Sequence, residues 1–335
     1  MGLLIIKPGV FDTVQDAGRY GYQHWGINPG GAADNISHST ANMLVGNNPG
    51  EAVMELHYPA ATIQFRQHAL VALCGGNFTA NINGIALPLD TPVIIKQQCT
   101  VTFSKLAAGH RCYLAVAGGF DVDTWLGSCS ANIKSGAPGF AGNKLKAGDL
   151  LPFKRNDVDY PAFGGVSGFY PLPWHTAPLV TGKKEKITLH VCYGNEYPLL
   201  CGASKDILAS TSFTVTKDSD RMGCRLSGIP LQVNMQEGLV SSGVTAGTLQ
   251  LLPSGQVVIL GAEHQSTGGY PRIAHVISAD RHLIGQLQPG DIIDFEIVDI
   301  VQAELLLLQQ HQYLQQLQAA CFLQLENFFA SHGLH

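Results

Sequence analysis

Charge is what this sequence has least of. Asp, Glu, Lys and Arg make up 13% of its 335 residues, against about 25% in an average domain. The net charge is −5 and Lys and Arg are thinly spread, so no basic stripe offers a surface to nucleic acid or anionic lipid. No apolar run reaches membrane-spanning length. The opening MGLLIIKPG has four consecutive apolar residues before Lys7 and Pro8, too few for a signal peptide. These absences predict a soluble, cytoplasmic protein with no membrane or nucleic-acid partner.

Familiar catalytic signatures are missing as well. The eight cysteines, at 74, 99, 112, 129, 192, 201, 224 and 321, form no C-x-x-C pair. That excludes a zinc ribbon or thioredoxin-type site and predicts buried, reduced thiols. There is no G-x-x-x-x-G-K-[ST] loop for a nucleotide and no H-E-x-x-H. The thirteen histidines show no metal-ligand spacing, so no metal site is expected. No G-x-S-x-G elbow appears. No M-K-M appears either, so no biotin attached to this chain is expected. An enzymatic role would have to rest on dispersed polar groups held by a rigid scaffold.

Hydrophobic residues are plentiful, at 45%, and so is glycine, at 38 residues. Scattered glycines suit the many tight turns of a β-rich chain. Strands are expected at 69–74, 91–96, 100–103, 111–117, 186–193, 255–262, 272–278 and 291–298, each apolar or alternating and bounded by turn residues. Two helices stand out. Asp34 can cap one over NISHSTANMLV, with Gly46 closing it. Residues 301–330 contain neither Gly nor Pro and predict a C-terminal helix packed on the body of the protein.

The segments LKAGDLLPF (145–153) and LQPGDIIDF (287–295) share L-x-x-G-D-x-[LI]-x-F, 142 residues apart. Two related β-domains or convergent turn chemistry would each produce this repeat. The reading adopted is mainly β: an N-terminal domain over 1–153, a linker or crossing loop over 154–180 carrying Pro161, Pro171, Pro173 and Pro178, a second domain over 181–300, and the helix over 301–330.

Four stretches concentrate polar residues among glycines. In residues 13–48, Gln15, Asp16 and Arg19 share a turn-like segment, and Asp34 and Asn42 lie two turns apart on one helix face. This is either a polar pocket floored by a helix N-terminus or a capped helix beside an Asp16–Arg19 surface pair. In residues 115–149, the amides around Gly118, Gly119 and Gly127, near Ser128 and Ser130, suit an anion nest or a plain glycine-rich connection. In DSDRMGCRLSG (218–228), Arg221 and Arg225 offer forks to carboxylate or phosphate, or pair locally with Asp218 and Asp220. The fourth stretch, HQSTGGYPRIAHVISAD (264–280), reads as a hairpin around Gly268 and Gly269 whose second strand is IAHVIS. A hairpin alone does not need Gln265, Ser266, Thr267, Tyr270 and Arg272 together.

Taken in order, TVQDAGRYGY (13–22), GAADNISHSTANMLVGN (31–47), YLAVAGGFDV (113–122) with LGS (126–128), SDRMGCRLSG (219–228) and QSTGGYPRIAHVISAD (265–280) with QLQPGD (286–291) resemble one family from about residue 5 to 305. It is the family described as allophanate hydrolase subunit 2, urea-amidolyase-related, or the C subunit of bacterial ATP-dependent 5-oxoprolinase. The resemblance implies two cyclophilin-like β-barrel domains and work beside partner chains. A B subunit, itself similar to allophanate hydrolase subunit 1, would activate 5-oxo-L-proline together with this chain, and an A subunit would finish ring opening to L-glutamate. ATP with Mg would be used at the level of the complex.

Two rival functions stay open under the same resemblance. One is carboxyl transfer to urea or a similar amide, with a biotin-carrying partner. The other is a non-enzymatic regulatory role antagonising a kinase inhibitor. For the enzymatic readings, Gln265, Thr267 and Tyr270 are expected to orient the amide. Arg221 or Arg272 would offset negative charge, and Asp34 would accept the N–H or position a water. Gln15, Arg19, Asn42, Gly268 and Gly269 complete the expected binding set. The chain departs from the family pattern at Ala131, Asn143, Ser242 and the run Glu263, His264, Gln265, Ser266. The family frequently has arginine where Asn143 stands, which weakens a phosphate role for the second stretch.

Overall fold

The computed structural model describes residues 2–136, 139–154, 168–178, 180, 185–234 and 239–332. Among them the chain is mostly β-structure with four helices. Within the expected connection over 154–180, Pro161 and the rest of 155–167 lie outside the described residues, as do 181–184 at the expected start of the second domain.

The chain divides into two compact units. The first comprises Met1–Gly18, Asp34–Lys183 and Tyr313–His335; the second comprises Arg19–Ala33 and Lys184–Gln312. Neither is a continuous stretch of sequence.

In the first unit, strands β1 (Gly2–Lys7), β2 (Thr13–Gln15), β3 (Val53–His57), β4 (Thr62–Phe65), β5 (Ala69–Asn77) and β6 (Ala80–Ile82) come first. They are followed by β7 (Ile85–Ala86), β8 (Pro92–Ile95), β9 (Thr100–Phe103), β10 (Ala108–Val116), β11 (Leu150–Pro152) and β12 (Phe169–Pro171). They form two six-stranded sheets, ordered β11-β1-β4-β9-β6-β7 and β12-β8-β5-β10-β3-β2. Alternation sorts their faces. Met54 and Leu56 of β3, Val71 and Leu73 of β5, and Cys112, Leu114 and Val116 of β10 enter a core shared with Leu3, Ile5, Ile63, Phe65 and Val101 of the other sheet. The intervening residues face the opposite side, where α1 (Asn35–Leu44) packs against β5 and β10. Both faces of this sheet are therefore covered, so a polar side chain on the helix side is buried too.

Helix α1 begins and ends as the sequence predicts. The Asp34 carboxylate accepts from the N–H of Ile36 (3.1 Å) and Ser37 (2.9 Å). Gly46, at φ +77°, donates to the carbonyl of Met43 and ends the helix. An N-cap of this kind contributes about 1 kcal/mol.

In the second unit, β13 (Ile187–Tyr193), β14 (Phe213–Val215), β15 (Gly223–Ser227), β17 (Thr248–Leu251), β18 (Val257–Leu260), β20 (Arg272–Val276) and β21 (Ile292–Ile297) close into a seven-stranded barrel. Its order is β13-β20-β17-β18-β15-β14-β21. Strands β16 (Ser242–Gly243) and β19 (Thr267–Gly268) form a separate two-stranded pair. Leu189, Val191, Phe213, Leu249, Leu251, Ile259, Ile293 and Phe295 fill the barrel.

The hairpin expected around Gly268 is corrected by this order. β18 and β20 do not pair; β17 lies between them and pairs with both. Residues 261–271 therefore run back along the barrel wall as a crossover. The run IAHVIS does build that wall, as expected.

The helices α2 (Gly202–Ser210) and α3 (Arg281–Gln286) complete the second unit. Residues 300–312 of α4 (Ile300–Ser331) count with the second unit and 313–331 with the first.

The nine-residue repeat adopts one turn twice. Gly148 (φ +89°) and Gly290 (φ +92°) take the left-handed conformation. Asp149 Oδ2 accepts from the N–H of Lys146 at 2.7 Å, and Asp291 Oδ2 from that of Gln288 at 3.0 Å. Each turn docks on a strand through the same exchange. Gly148 donates to Ile5 O and Ile5 N to Asp149 O; Gly290 donates to Val215 O and Val215 N to Asp291 O.

Candidate functional site

In the first unit, register places a row of polar side chains on the helix side of the second sheet. Thr13 lies opposite Glu55, and Glu55 opposite Tyr113. Tyr113 Oη donates to Glu55 Oε2 (3.0 Å) and accepts from the N–H of Asp34 (2.8 Å). One register step away, Arg111 lies opposite His57 and donates from Nε to His57 Nε2 (2.9 Å), with Glu55 Oε1 3.5 Å from the same nitrogen. Because His57 Nε2 accepts, its ring proton sits on Nδ1. Burial raises the Tyr113 hydroxyl well above its ordinary pKa, with Glu55 adding to the effect, so it remains a donor.

Gln15, fully buried in β2, donates from Nε2 to Thr13 Oγ1 (3.0 Å) and to the carbonyl of Ala131 (3.2 Å). Ala131 O can only accept, so the carboxamide orientation is fixed with Oε1 on the other side. That oxygen has no hydrogen-bond partner.

Asp16 is a second centre in this unit. Its carboxylate accepts from the hydroxyls of Ser128 (2.7 Å) and Ser130 (2.5 Å) and from the N–H groups of Gly18 (2.8 Å) and Cys129 (2.6 Å). It anchors the glycine-rich loop, and the expected Asp16–Arg19 surface pair gives way to this buried cluster. Of the two readings of residues 115–149, the bonding at Gly118 and Gly119 follows the plain glycine-rich connection. Gly118 N donates to Asn47 Oδ1 and Gly119 N to Val116 O, so both amides are engaged within the chain.

The remaining first-unit candidates are structurally committed. Asp34 Oδ1 accepts from two helix amides and Oδ2 from the Ser37 hydroxyl (2.5 Å). Asn42 Nδ2 donates to Glu51 O (2.8 Å) and Asn42 Oδ1 accepts from Asn47 Nδ2 (2.9 Å). His38 Nε2 meets the same Glu51 carbonyl at 2.8 Å, and burial lowers its pKa.

In the second unit, Arg221 is buried two residues before β15. Its Nε donates to Glu263 Oε1 (2.6 Å) and its Nη2 to the carbonyl of Gly31 (2.6 Å). Asn28 Nδ2 donates to Glu263 O (3.0 Å). Arg221 and Glu263 thus tie residues 19–33 to the barrel. Arg19, in that segment, is a fully buried side chain whose backbone N–H donates to Pro29 O. Arg272 grips Glu196 with two parallel bonds, Nε to Oε2 at 2.9 Å and Nη2 to Oε1 at 2.8 Å; its Nη1 donates to Gly243 O (3.2 Å). This fork holds the Glu196 carboxyl below its ordinary pKa. Neither arginine turns its fork outward, so they do not fit the phosphate role expected of them. They act as brackets.

The fourth stretch supplies the open chemistry. Thr267 is exposed and Tyr270 is 45% exposed. Gln265 Nε2 donates to Gln250 Oε1 (3.2 Å). Gly268 lies so close to Gln250 that a β carbon there would meet Nε2 at 2.4 Å, and a β carbon on Gly269 would meet Ser241 Oγ at 3.3 Å. The two glycines serve close approach. The structure therefore brings Gln265, Thr267, Gly268, Gly269 and Arg272 together, with Arg221 linked through Glu263 two residues before Gln265.

Sequence reasoning missed Asp16 as an anchor, Glu55, Arg111 and Tyr113 as a network, and Glu196 and Gln250 as partners. A signal existed for some of them. Glu55 in VMELH, and Arg111 and Tyr113 in RCYLAV, share one alternation face within otherwise apolar strands. A cavity of about 320 Å³ lined by Phe213, Leu226, Ile229, Pro230 and neighbours lies at the Ser227 end of β15 and includes no titratable side chain.

A family model described as carboxyltransferase domain, subdomain A and B, matches residues 25–297. The chain is 33% identical to the C subunit of 5-oxoprolinase from Escherichia coli (strain K12) over 94% of this chain and 97% of the relative. It is similar to the crystal structure of TTHA0988 with a TM-score of 0.73 and 32% identity, over 88% of this chain and 55% of that one. It is also similar to urea carboxylase of Kluyveromyces lactis, with a TM-score of 0.83 and 25% identity over 94% of this chain and 29% of that chain.

Proposed function

This chain belongs to the family of the carboxyltransferase domain, subdomain A and B, and from that premise we propose that it is the C subunit of an ATP-dependent 5-oxoprolinase. The observation that carries this reading is the extent of one match. The C subunit of the E. coli 5-oxoprolinase is covered over 97% of its length, whereas the chain matches only 16% of a yeast urea amidolyase.

In this reading the chain works with a B subunit to activate 5-oxo-L-proline, and an A subunit finishes ring opening to L-glutamate. Consumption of ATP belongs to the complex, and no phosphate step runs through Arg221 or Arg272. The chain's own part is to bind and orient the planar lactam at the Gln265–Tyr270 segment. Gln265, Thr267 and Tyr270 offer hydrogen bonds there. Arg221–Glu263 and Arg272–Glu196 hold that segment in place.

ADP release by this chain with its B-type partner, with and without 5-oxo-L-proline and an A-type partner, tests the proposal. Lactam-dependent ADP release that needs all three chains is the expected result. Release unaffected by the lactam would overturn it. The likeness to urea carboxylase favours a second reading, carboxyl transfer to urea or a related amide. That reading requires a partner bearing biotin, and urea-dependent consumption of carboxybiotin would select it. Tight partner binding with no substrate-dependent turnover would select a regulatory role.

A further inference from the structure

Helix α4 is 32 residues long and carries no Lys or Arg; its charged residues are Glu304 and Glu326. One face of it is anchored. In the second unit Ala303 packs with Ile277, Ala279 and Val298, and Gln310 Nε2 donates to Ala279 O at 2.8 Å. In the first unit a β carbon on Gly46 would meet Leu325 Cδ1 at 3.1 Å, and Phe328 packs edge-on to Trp174 with ring centroids 5.9 Å apart. These positions share one side of the helix, so residues half a turn away form the opposite side.

A helix face turned from the body of a protein is ordinarily polar and charged. Here it carries Val301, Leu305, Leu308 and Phe322, each between 53% and 70% exposed, with exposed Ala319 among them. Their spacing is regular. Positions 301, 305, 308, 312, 315, 319, 322 and 326 alternate steps of four and three, the a/d seam of a coiled coil, and all are exposed. The helix lies beyond residues 25–297, which the family model matches, so this seam is not part of the matched domain.

The seam is complementary to itself. About a two-fold axis between 313 and 314, two antiparallel copies set Leu305 against Phe322, Leu308 against Ala319, Gln312 against Gln315 and Val301 against Glu326. Large meets small at the Leu308 layers, the central glutamines can exchange amide hydrogen bonds, and Glu326 falls at the ends. A parallel pair would set Glu326 against Glu326 and Ala319 against Ala319, placing like charges together and leaving a gap. From 301 to 326 the strip is about 38 Å long and about 10 Å wide. Contact along it covers about 400 Å² per copy in projection, against about 800 Å² per partner in a standard interface. That is the size of a reversible dimer.

We propose that the outer face of α4 pairs with the same face of a second copy of this chain, antiparallel, as a reversible homodimer. Pairing of this kind is independent of the chemistry carried by the barrel.

The test is sedimentation velocity of the full-length chain from about 1 μM to about 1 mM, the Kd range of weak association. The sedimentation coefficient of the wild-type chain should rise with concentration. Leu308→Glu and Ala319→Lys, both at exposed positions, should each weaken association by about tenfold or more while circular dichroism shows the helix content retained. The double variant sets a carboxylate against an ammonium in the two Leu308 layers of the antiparallel pair, and should associate more strongly than either single variant. In a parallel pair it would set like charges together and restore nothing. A wild-type chain that stays monomeric throughout, a dimer indifferent to both single variants, or a double variant no stronger than either would overturn the inference. A monomeric wild-type chain whose binding to a B-type partner is lost in Leu308→Glu would also overturn it, by assigning the face to that partner.

Discussion

The two units bury polar groups in opposite ways. In the first, Gln15, Glu55, Arg111 and Tyr113 are buried on the strands of one sheet, and their partners come from neighbouring strands, from the cap of α1 or, for Gln15, from Thr13 of its own strand and the carbonyl of Ala131. In the second, Arg221, Glu263, Gln265 and Arg272 lie at strand ends and on a crossover, and their bonds hold connecting segments in place. Each arrangement includes a buried glutamine with one half unmet, the acceptor of Gln15 and the donor of Gln250. The comparison teaches that the free half of a carboxamide is set by what occupies the other half. Ala131 O takes the nitrogen of Gln15, and Gln265 takes the oxygen of Gln250.

The largest effect should come from breaking a bracket of the second unit. Arg221→Met leaves the Glu263 carboxylate buried without its cation, which should destabilise by about 3–5 kcal/mol. Hydrogen exchange should place the loss at β15, β18 and residues 19–33 rather than on the sheets of the first unit. Adding Glu263→Leu should restore much of it.

Next, the glutamines should part company. Gln15→Met deprives the buried Ala131 O and Thr13 Oγ1 of their donor and should lower stability by about 1–3 kcal/mol in denaturant unfolding, whereas Gln250→Met deprives only the half-buried Gln265 Nε2 of its acceptor and should cost less.

Asp34→Ala removes a cap and should lower stability by about 1 kcal/mol; Asp34→Ser, which can still cap, should recover it. Turnover that stays lost in a capped Asp34→Ser variant would restore the catalytic role first expected of Asp34.

The smallest effect is in pH, and the two units should slope oppositely. Burial raises Asp90, in the first unit, to about 6. Its contribution is therefore present below the unfolded value of 3.8 and lost as pH rises through about 6. Arg272 lowers Glu196, in the second unit. Its contribution is present above the unfolded value of 4.5 and lost as pH falls through the folded value. Tm of wild type minus Asp90→Asn should therefore fall with rising pH, and wild type minus Glu196→Gln should fall with descending pH.

Local chemistry explains which parts of the molecule could be read from sequence. Periodicity and turn residues encode their structure within a few positions, so the strands at 69–74 and 291–298, the capped helix α1 and the C-terminal helix are visible directly. So is the repeated Gly-Asp turn, whose two copies make matching bonds. Helix α2 begins on a glycine and carries only two fully buried residues, so no stripe announces it. The crossover at 264–271 was misread because a Gly-Gly pair between two strands has the local signature of a hairpin. Only the identity of the strand between them, β17, distinguishes the cases.

The candidate site was legible as composition rather than as geometry. An excess of hydrogen-bonding groups near Gln265 marked the segment now proposed to bind the amide. The partners that engage Arg221 and Arg272 lie 42 and 76 positions away in sequence, beyond any local pattern, and so brackets looked like open forks.

The interleaving of the units has a consequence for anyone wishing to divide the protein. Excising residues 184–312 as a fragment would discard Gly31 and Asn28, which meet Arg221 and Glu263 within the same unit. Removing the whole second unit would leave a piece that has to rejoin Gly18 to Asp34 and Lys183 to Tyr313. No single scission frees either half, so insertions, deletions and fusions between them must be planned as paired events. A recombination that exchanged only the later barrel would inherit an orphaned arginine.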